Sequence, residues 1–247
     1  MKKNTVSRRC YRILRWLVDR CYPEITVVGQ ENLPDEPCIV VGNHSQMHGP
    51  IVGELRFPGA PAIWCAAQMM HRKEVPAYAY QDFWSSKPKA VRWFYKLLSH
   101  LIAPLSSCIF NNAHTIPVYH DARLAVTFKQ TMQALDSGEN VLIFPECAKP
   151  HNQIVCQFQE HFVDVARRYY KRTGKALCFV PMYLAPKLRT LCLGTPIRFR
   201  PEAELGAERS RICAELMAQI TELAVGLPVH TVVPYCNVSK KEYPQSR

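Results

Sequence analysis

The chain has 247 residues, of which 48% are hydrophobic and 21% charged, and its 31 Lys and Arg against 20 Asp and Glu give a net charge of +11. A chain of this length buries roughly three quarters of the surface that it exposes when unfolded, and its composition excludes fibrous, collagenous and disordered proteins. The positive charge attracts polyanions such as an anionic bilayer, phosphorylated small molecules or nucleic acid. We do not expect nucleic acid as a partner, because no nucleic-acid motif accompanies the charge.

The eleven cysteines are spread from Cys10 to Cys236 and form no C-x-x-C pair. Disulfide frameworks belong to small secreted domains, and zinc sites need clustered ligands. We therefore predict a reducing compartment, most cysteines as small core residues, and no metal site. No secretory signal is visible, and no stretch of about 20 residues is free of charge, which argues against a spanning helix.

The first predicted element is a helix over residues 6–22, within an N-terminal region of residues 1–22. Its apolar residues recur at helical spacing on one face, and arginines occupy the other face together with Asp19. The apolar residues are Cys10, Ile13, Leu14, Leu17, Val18 and Cys21. Two such faces and the flanking Trp16 are typical of a helix that lies in the headgroup region of a membrane. The alternative is a surface helix packed on the rest of the domain.

A second amphipathic stretch covers residues 87–104 and mixes large apolar and aromatic side chains with Lys and Arg. Charges at this density exclude a membrane span but suit an interfacial patch or the wall of a substrate tunnel. An ordinary amphipathic core helix is the alternative.

The remaining sequence alternates short β-like runs with helical segments. Strands are predicted at residues 25–28, 38–41, 62–67, 115–119, 141–144, 176–184 and 190–193, and helices at 50–55, 122–135, 157–171 and 208–225. This alternation predicts an α/β fold, with a mixed, largely parallel sheet flanked by helices in a single domain over residues 23–247. The tail after Gly226 is predicted to be extended and laid over the surface.

Polar residues follow two of the predicted buried strands, at residues 42–50 and 145–151. In open α/β sheets, ligand chemistry collects where strands end and helices begin. We therefore expect both segments at a sheet edge that faces a cleft.

Both segments contain degraded versions of known motifs. The pattern Asn-His, four residues, then Asp is matched by Asn43 and His44, with Gly49 in place of the aspartate. The pattern Phe-Pro-Glu-Gly-Thr-Arg is matched by Phe-Pro-Glu-Cys-Ala-Lys at residues 144–149, and a later Val-Pro strand motif by residues 180–181. In their order and spacing, roughly residues 24–200 resemble the glycerolipid acyltransferases of the 1-acylglycerol-3-phosphate acyltransferase (PlsC-like) family.

The resemblance implies an acyltransferase of phospholipid biosynthesis. It moves a fatty acyl group from acyl-CoA or acyl-carrier protein, as co-substrate, to the hydroxyl of a lysophospholipid, without a bound cofactor. His44 is implied as the general base that acts directly on the acceptor hydroxyl, and Glu146 as a catalytic residue that contacts the glycerol part or stabilises the site. The implied substrate-binding residues are Asn43, Ser45, His120 and Lys149, of which Lys149 meets a phosphate as a point charge. The implied location is peripheral or monotopic, on the anionic cytoplasmic surface of the cell membrane.

Gly49 departs from the motif, because the family's aspartate at this place fixes the histidine tautomer. In the serine-protease template, loss of the orienting carboxylate's charge lowers turnover by about 10⁴. A backbone carbonyl, His48, Asn43 and Glu54 are alternatives for orienting His44 here. A catalytically weak or inactive family member that binds lipid or anionic membrane is the alternative function.

Overall fold

The computed structural model describes residues 5–85 and 87–247. The helices are α1 (Thr5–Cys21), α2 (His48–Leu55), α3 (Val75–Ala79), α4 (Arg92–Asn112), α5 (Leu124–Asp136), α6 (Asp164–Thr173) and α7 (Leu205–Gly226). The strands are β1 (Thr26–Val28), β2 (Ile39–Gly42), β3 (Ala62–Ala66), β4 (Thr115–Val118), β5 (Val141–Ile143), β6 (Glu146–Pro150), β7 (Cys156–Phe158), β8 (Cys178–Ala185), β9 (Thr190–Leu193) and β10 (Ile197–Arg198).

Contacts group the chain into two compact units. The first unit runs up to Pro23 and takes in Trp64–Thr127, and the second comprises Glu24–Ile63 and Phe128–Arg247. The sequence-based division between residues 1–22 and 23–247 stays a prediction, and residues 1–4 lie outside the described part of the chain.

The second unit contains a sheet with the strand order β1-β9-β8-β2-β5-β3, and β10 pairs with β8. The pairs β1–β9, β8–β2, β2–β5 and β5–β3 are parallel, whereas β8 is antiparallel to β9 and β10. The prediction of an α/β fold with a mixed, mostly parallel sheet flanked by helices and preceded by an N-terminal helix is confirmed.

The core of this unit lies on its central strands. Every residue of β2 and β5 is buried, as are seven of the eight residues of β8. Strands covered on both faces read as continuous apolar runs, which is why these elements are recognisable from sequence. Their burial fixes the strand ends from which the polar segments project.

In the first unit, α1 packs on α4. Asn112 Nδ2 donates a hydrogen bond to Ser7 Oγ at 2.7 Å, but α1 buries none of its residues fully. α4 begins at Arg92 and continues through Pro104 to Asn112, eight residues beyond the end of the predicted amphipathic stretch. Within the described residues, no helix is both long and apolar enough to cross a membrane.

The predicted helix over residues 157–171 is wrong in its first part. Residues 156–158 form β7, which pairs antiparallel with β6 so that Phe158 lies opposite Glu146. α6 begins at Asp164, whose carboxylate stabilises the first turn of a helix, and ends before Gly174 in the left-handed conformation. A hairpin replaces the first predicted helical turns because β7 pairs with β6, whose residues lie six to twelve positions earlier in the chain.

The tail after Gly226 does not lie entirely over the surface as predicted. Val232 and Val233 are buried, and so is His230, whose Nε2 lies 2.8 Å from Tyr183 Oη. The apolar pair in the tail thus packs into the second unit.

The prediction for the cysteines is also only partly right: all eleven are free, but only Cys38, Cys192 and Cys213 are buried.

Candidate active site

The parallel register of β2 and β5 brings His44 and Glu146 together. Val41 lies opposite Ile143, and the two site residues each lie three positions further along the chain. Because the carboxyl ends of parallel strands meet at one edge of a sheet, the two segments emerge side by side. The backbone N–H of His44 donates a hydrogen bond to Glu146 Oε2 at 2.5 Å.

The carboxyl group of Glu146 is buried, with 4% of the residue exposed. Its second oxygen, Oε1, accepts a hydrogen bond from the backbone N–H of Cys156 at 2.9 Å. Burial raises the pKa of Glu146 to about 7, although the hydrogen bonds from Cys156 and His44 act in the opposite direction. Glu146 therefore ties the turn after β2 to the β6–β7 hairpin.

Two aromatic rings contact the imidazole of His44. Its centroid is 5.3 Å from that of Phe144 and 5.7 Å from that of Tyr235, and both pairs are edge-to-face, with interplanar angles of 63° and 78°. Nδ1 is buried without a hydrogen-bond partner in residues 5–85 and 87–247. Burial lowers the pKa of His44, while the backbone of Gln46 and of His44 itself opposes the shift.

The turn that follows His44 has an unusual backbone. Ser45 and Gln46 adopt left-handed conformations, with φ of 46° and 54°. Such strain in residues other than glycine persists where surrounding contacts hold it, and it clusters at functional sites. Asn43 supplies one of these contacts, because its Nδ2 donates to Ser45 Oγ at 2.7 Å.

Asn43 also bonds to β8. Its Oδ1 accepts from the backbone N–H of Leu184 at 2.7 Å, and its Nδ2 donates to the carbonyl oxygen of Leu184 at 3.0 Å. Asn43 and Ser45 are both buried. Through these hydrogen bonds, Asn43 and Ser45 support the turn that follows His44. Contact of either residue with substrate stays a prediction.

Gly49 closes the turn at the start of α2. Its backbone N–H donates to the carbonyl oxygen of His44 at 3.0 Å. A Cβ at this position would lie 2.5 Å from that oxygen and 2.9 Å from Phe144 Cε1. The backbone is therefore fitted to glycine, and the aspartate of the family pattern has no room without a backbone shift. Nδ1 of His44 makes no hydrogen bond with His48, Asn43 or Glu54 in the described part of the chain, whereas the backbone of Gln46 and of His44 acts on the ring.

The two predicted basic contacts are both exposed. Lys149 lies on β6, in which residues 148–150 are exposed whereas Glu146 is buried. His120 lies two residues after β4, in the first unit. Their binding of substrate stays a prediction, and no group of three His, Cys, Asp or Glu in the described residues is arranged to hold a metal ion.

Sequence reasoning missed the residues of the tail that contact this site. Gln46 Nε2 donates to Tyr243 Oη at 2.9 Å and lies 3.4 Å from the carbonyl oxygen of Cys236. Tyr235, next to Cys236, contacts the ring of His44. The tail lies about 190 positions along the chain from the His44 turn, so no local spacing signals the contact.

Two cavities of about 210 and 560 Å³ lie in the second unit and share Ala176 and Arg198 in their walls. They lie near the beginning of β8, whereas Asn43 and the His44 turn bond to its end at Leu184. Neither cavity includes His44 or Glu146, so the candidate site is distinct from both.

The fold is that of PlsC-like acyltransferases. A crystal structure of the 1-acyl-sn-glycerophosphate (LPA) acyltransferase PlsC from Thermotoga maritima matches it with a TM-score of 0.51 and 17% sequence identity, over 92% of this chain and 86% of that one. The family model described as Acyltransferase matches residues 24–185, more than half of the chain, and the protein belongs to this family. No curated protein matches the sequence. The matched residues include His44, Glu146 and Lys149, whereas Tyr235 lies outside them.

Proposed function

We propose that this acyltransferase moves a fatty acyl group from acyl-CoA or acyl-carrier protein to the hydroxyl of a lysophospholipid of the 1-acylglycerol-3-phosphate type. The observation that carries the proposal is the hydrogen bond from the backbone of His44 to the buried carboxyl group of Glu146. It joins the two motif segments at one sheet edge, within the part of the chain that the family model matches.

His44 acts as the general base in this proposal, through Nε2, because Nδ1 is buried. Nε2 takes the proton of the acceptor hydroxyl while the hydroxyl oxygen attacks the carbonyl carbon of the thioester. The C–O bond forms, the C–S bond breaks, and the proton passes from the imidazolium to the leaving thiolate. The lowered pKa of His44 supports this role, since the neutral base is then the dominant form at physiological pH.

Glu146 supports the base in this proposal by holding the backbone of His44 and of Cys156. Lys149 remains the proposed contact for the phosphate of the acceptor, and the binding role of His120, in the first unit, remains a prediction from the sequence. An ammonium group on an exposed strand residue binds phosphate as a point charge, without the bidentate geometry of arginine. Asn43 and Ser45 complete the proposed binding residues next to His44.

The function is tested by incubating the purified protein with labelled acyl-CoA or acyl-carrier protein and a panel of lysolipids. We expect acyl transfer to a lysophospholipid, and a loss of at least about 10²-fold in kcat for His44→Ala, as for removal of a general base. Lys175→Ala, on the surface away from the site, serves as the control. Equal turnover by the wild type and His44→Ala would remove His44 from the mechanism.

We further propose that the first unit binds the anionic cytoplasmic surface of the cell membrane. Trp16 on α1 is 59% exposed and Trp93 on α4 is 69% exposed, and both helices carry further exposed apolar side chains. These are Val6, Ile13, Leu17 and Val18 on α1, and Phe94, Leu97, Leu101 and Leu105 on α4. Exposed aromatic and aliphatic residues with arginines nearby are typical of helices that lie in the membrane interface.

A catalytically weak or inactive lipid-binding protein is the second candidate. It is favoured by the unpartnered Nδ1 of His44 and by Gly49, since the ring lacks the hydrogen bond that fixes a catalytic tautomer. Binding to phospholipid vesicles that contain lysophospholipid, with no acyl transfer from any donor, would support this candidate over the enzyme.

A further inference from the structure

The segment after Gly226 is anchored at several points in the second unit. His230 lies within hydrogen-bonding distance of Tyr183 and of the carbonyl oxygen of Pro228, at 2.8 Å in each case. Val232 and Ser246 form backbone hydrogen bonds that close the segment on itself. These contacts fix the tail on both sides of Tyr235.

We propose that Tyr235 is a positioning residue for His44, holding the imidazole against Phe144 in place of the missing hydrogen-bonding side chain. This inference rests on the proposed role of His44 as the base. It assigns a function in the site to a segment that lies outside the family match.

The geometry of the three rings carries the proposal. Both partners meet the imidazole edge-to-face at 5.3 and 5.7 Å, which is the preferred arrangement and distance of aromatic pairs. Nδ1 has no hydrogen-bond partner in the described residues, so packing against Phe144 and Tyr235 adds to the backbone of Gln46 and of His44 in limiting rotation of the ring. Removal of the Tyr235 side chain eliminates one of these two aromatic contacts.

The strained turn requires such support. Ser45 and Gln46 are both left-handed, and the side chain of Gln46 bonds to Tyr243 in the same tail. The tail therefore contacts both the histidine ring and the backbone turn that presents it.

The test compares Tyr235→Leu, which removes the ring, with Tyr235→Phe, which keeps it. We expect Tyr235→Leu to lower kcat about tenfold or more with little change in KM, because a mispositioned base slows the chemical step without weakening binding. Tyr235→Phe is expected to keep most of the wild-type kcat, because the aromatic ring is retained. Lys240→Ala, an exposed residue of the same tail, controls for general effects of substitution there.

A second measurement follows the pKa of His44 by NMR in the same variants, and it needs no turnover. We expect the pKa to rise toward 6.5 in Tyr235→Leu, as water reaches the ring, and to stay near its wild-type value in Tyr235→Phe. Phe144→Leu provides a matched removal of the second aromatic contact. If Tyr235→Leu does not fold, Phe144→Leu and Tyr235→Phe supply the comparison.

Three results would overturn the proposal: an unchanged His44 pKa in Tyr235→Leu, an equal loss of rate in Tyr235→Phe, or a rise in kcat on removal of the ring. The last would mean that the tail blocks the site. Failure of the proposed function gives a different outcome, in which the wild type shows no acyl transfer while the NMR shift of His44 still depends on the ring at position 235.

Discussion

The backbone N–H of Gly49 donates a hydrogen bond to the carbonyl oxygen of His44 at 3.0 Å, and a Cβ on Gly49 would lie 2.5 Å from the same oxygen. The position that carries an aspartate in the family pattern is therefore used here to close the turn that presents the histidine. A residue with a Cβ at position 49 would therefore require the backbone of this turn to shift.

Gly49→Ala is expected to destabilise the protein by about 1–3 kcal/mol, because the added methyl group forces the backbone of His44 or the ring of Phe144 to move. For a chain of this size the melting temperature falls by about 2–4 °C for each kcal/mol. Thermal unfolding followed by circular dichroism measures the shift. Gly226→Ala is the control, because a Cβ there meets nothing within 4 Å.

Gly49→Asp is expected to lower rather than raise acyl transfer, since the same clash displaces His44 before any carboxylate reaches its ring. Turnover in the labelled acyl-donor assay measures the effect. A gain in turnover of tenfold or more would contradict this expectation. It would show that the backbone turn adapts to the side chain, and that the aspartate fixes the tautomer of His44 as an orienting carboxylate does in the serine-protease template.

Glu146→Gln is expected to alter the pH dependence of stability. The pKa of Glu146 is raised from 4.5 to about 7 by burial, so the folded state binds its proton more tightly than the unfolded state. The contribution of this group to the free energy of unfolding is therefore largest below pH 4.5. It falls as the pH rises toward 7, by at most about 1.4 kcal/mol per pH unit.

Glutamine does not titrate, so the difference in unfolding free energy between wild type and Glu146→Gln isolates this group. Denaturant unfolding at a series of pH values from 4 to 9 measures it, and the opposite contribution of His44 is present in both proteins and cancels. We expect the wild type to lose stability relative to the variant between pH 4.5 and 7, with a plateau above. A constant difference would show that the carboxyl group titrates normally.

His44 is expected to titrate below its ordinary pKa of 6.5, because burial disfavours the imidazolium. The NMR signal of the His44 ring, assigned by its loss in His44→Ala, is followed from pH 4 to 8. The same signal in the denatured chain gives the reference. A folded-state value at or above the reference would contradict the burial of this ring.

Trp93→Ser is expected to weaken binding to vesicles of anionic phospholipid by about tenfold, because one large apolar side chain is lost from the membrane interface. Sedimentation with vesicles measures the partition, and raising the salt concentration is expected to weaken it further. Val225→Ser removes an exposed apolar side chain from α7 in the second unit and serves as the control. Equal losses in the two variants would argue against a specific membrane-binding surface on α4.

Local sequence patterns were sufficient to predict the main strands, the α/β class and the two polar segments that follow β2 and β5. These features depend on local patterns: continuous apolar runs predict buried parallel strands, and motif residues directly after them are bound to share one sheet edge. The strand ends singled out the segments that contain His44 and Glu146, 102 positions apart, and the resemblance to the acyltransferase family implied the roles of the two residues.

The contacts that hold those residues in place come from tertiary packing. Four features have no signature in the local sequence: the two backbone partners of Glu146, the hairpin in place of the first predicted helical turns, the fit of Gly49, and the contact of Tyr235 with His44. Each depends on atoms that the packing of the whole unit brings within a few ångströms, across separations of up to about 190 residues. Composition and spacing report which side chains a segment can bury, whereas the partner that meets a given ring or carboxylate is fixed by the three-dimensional path of the chain.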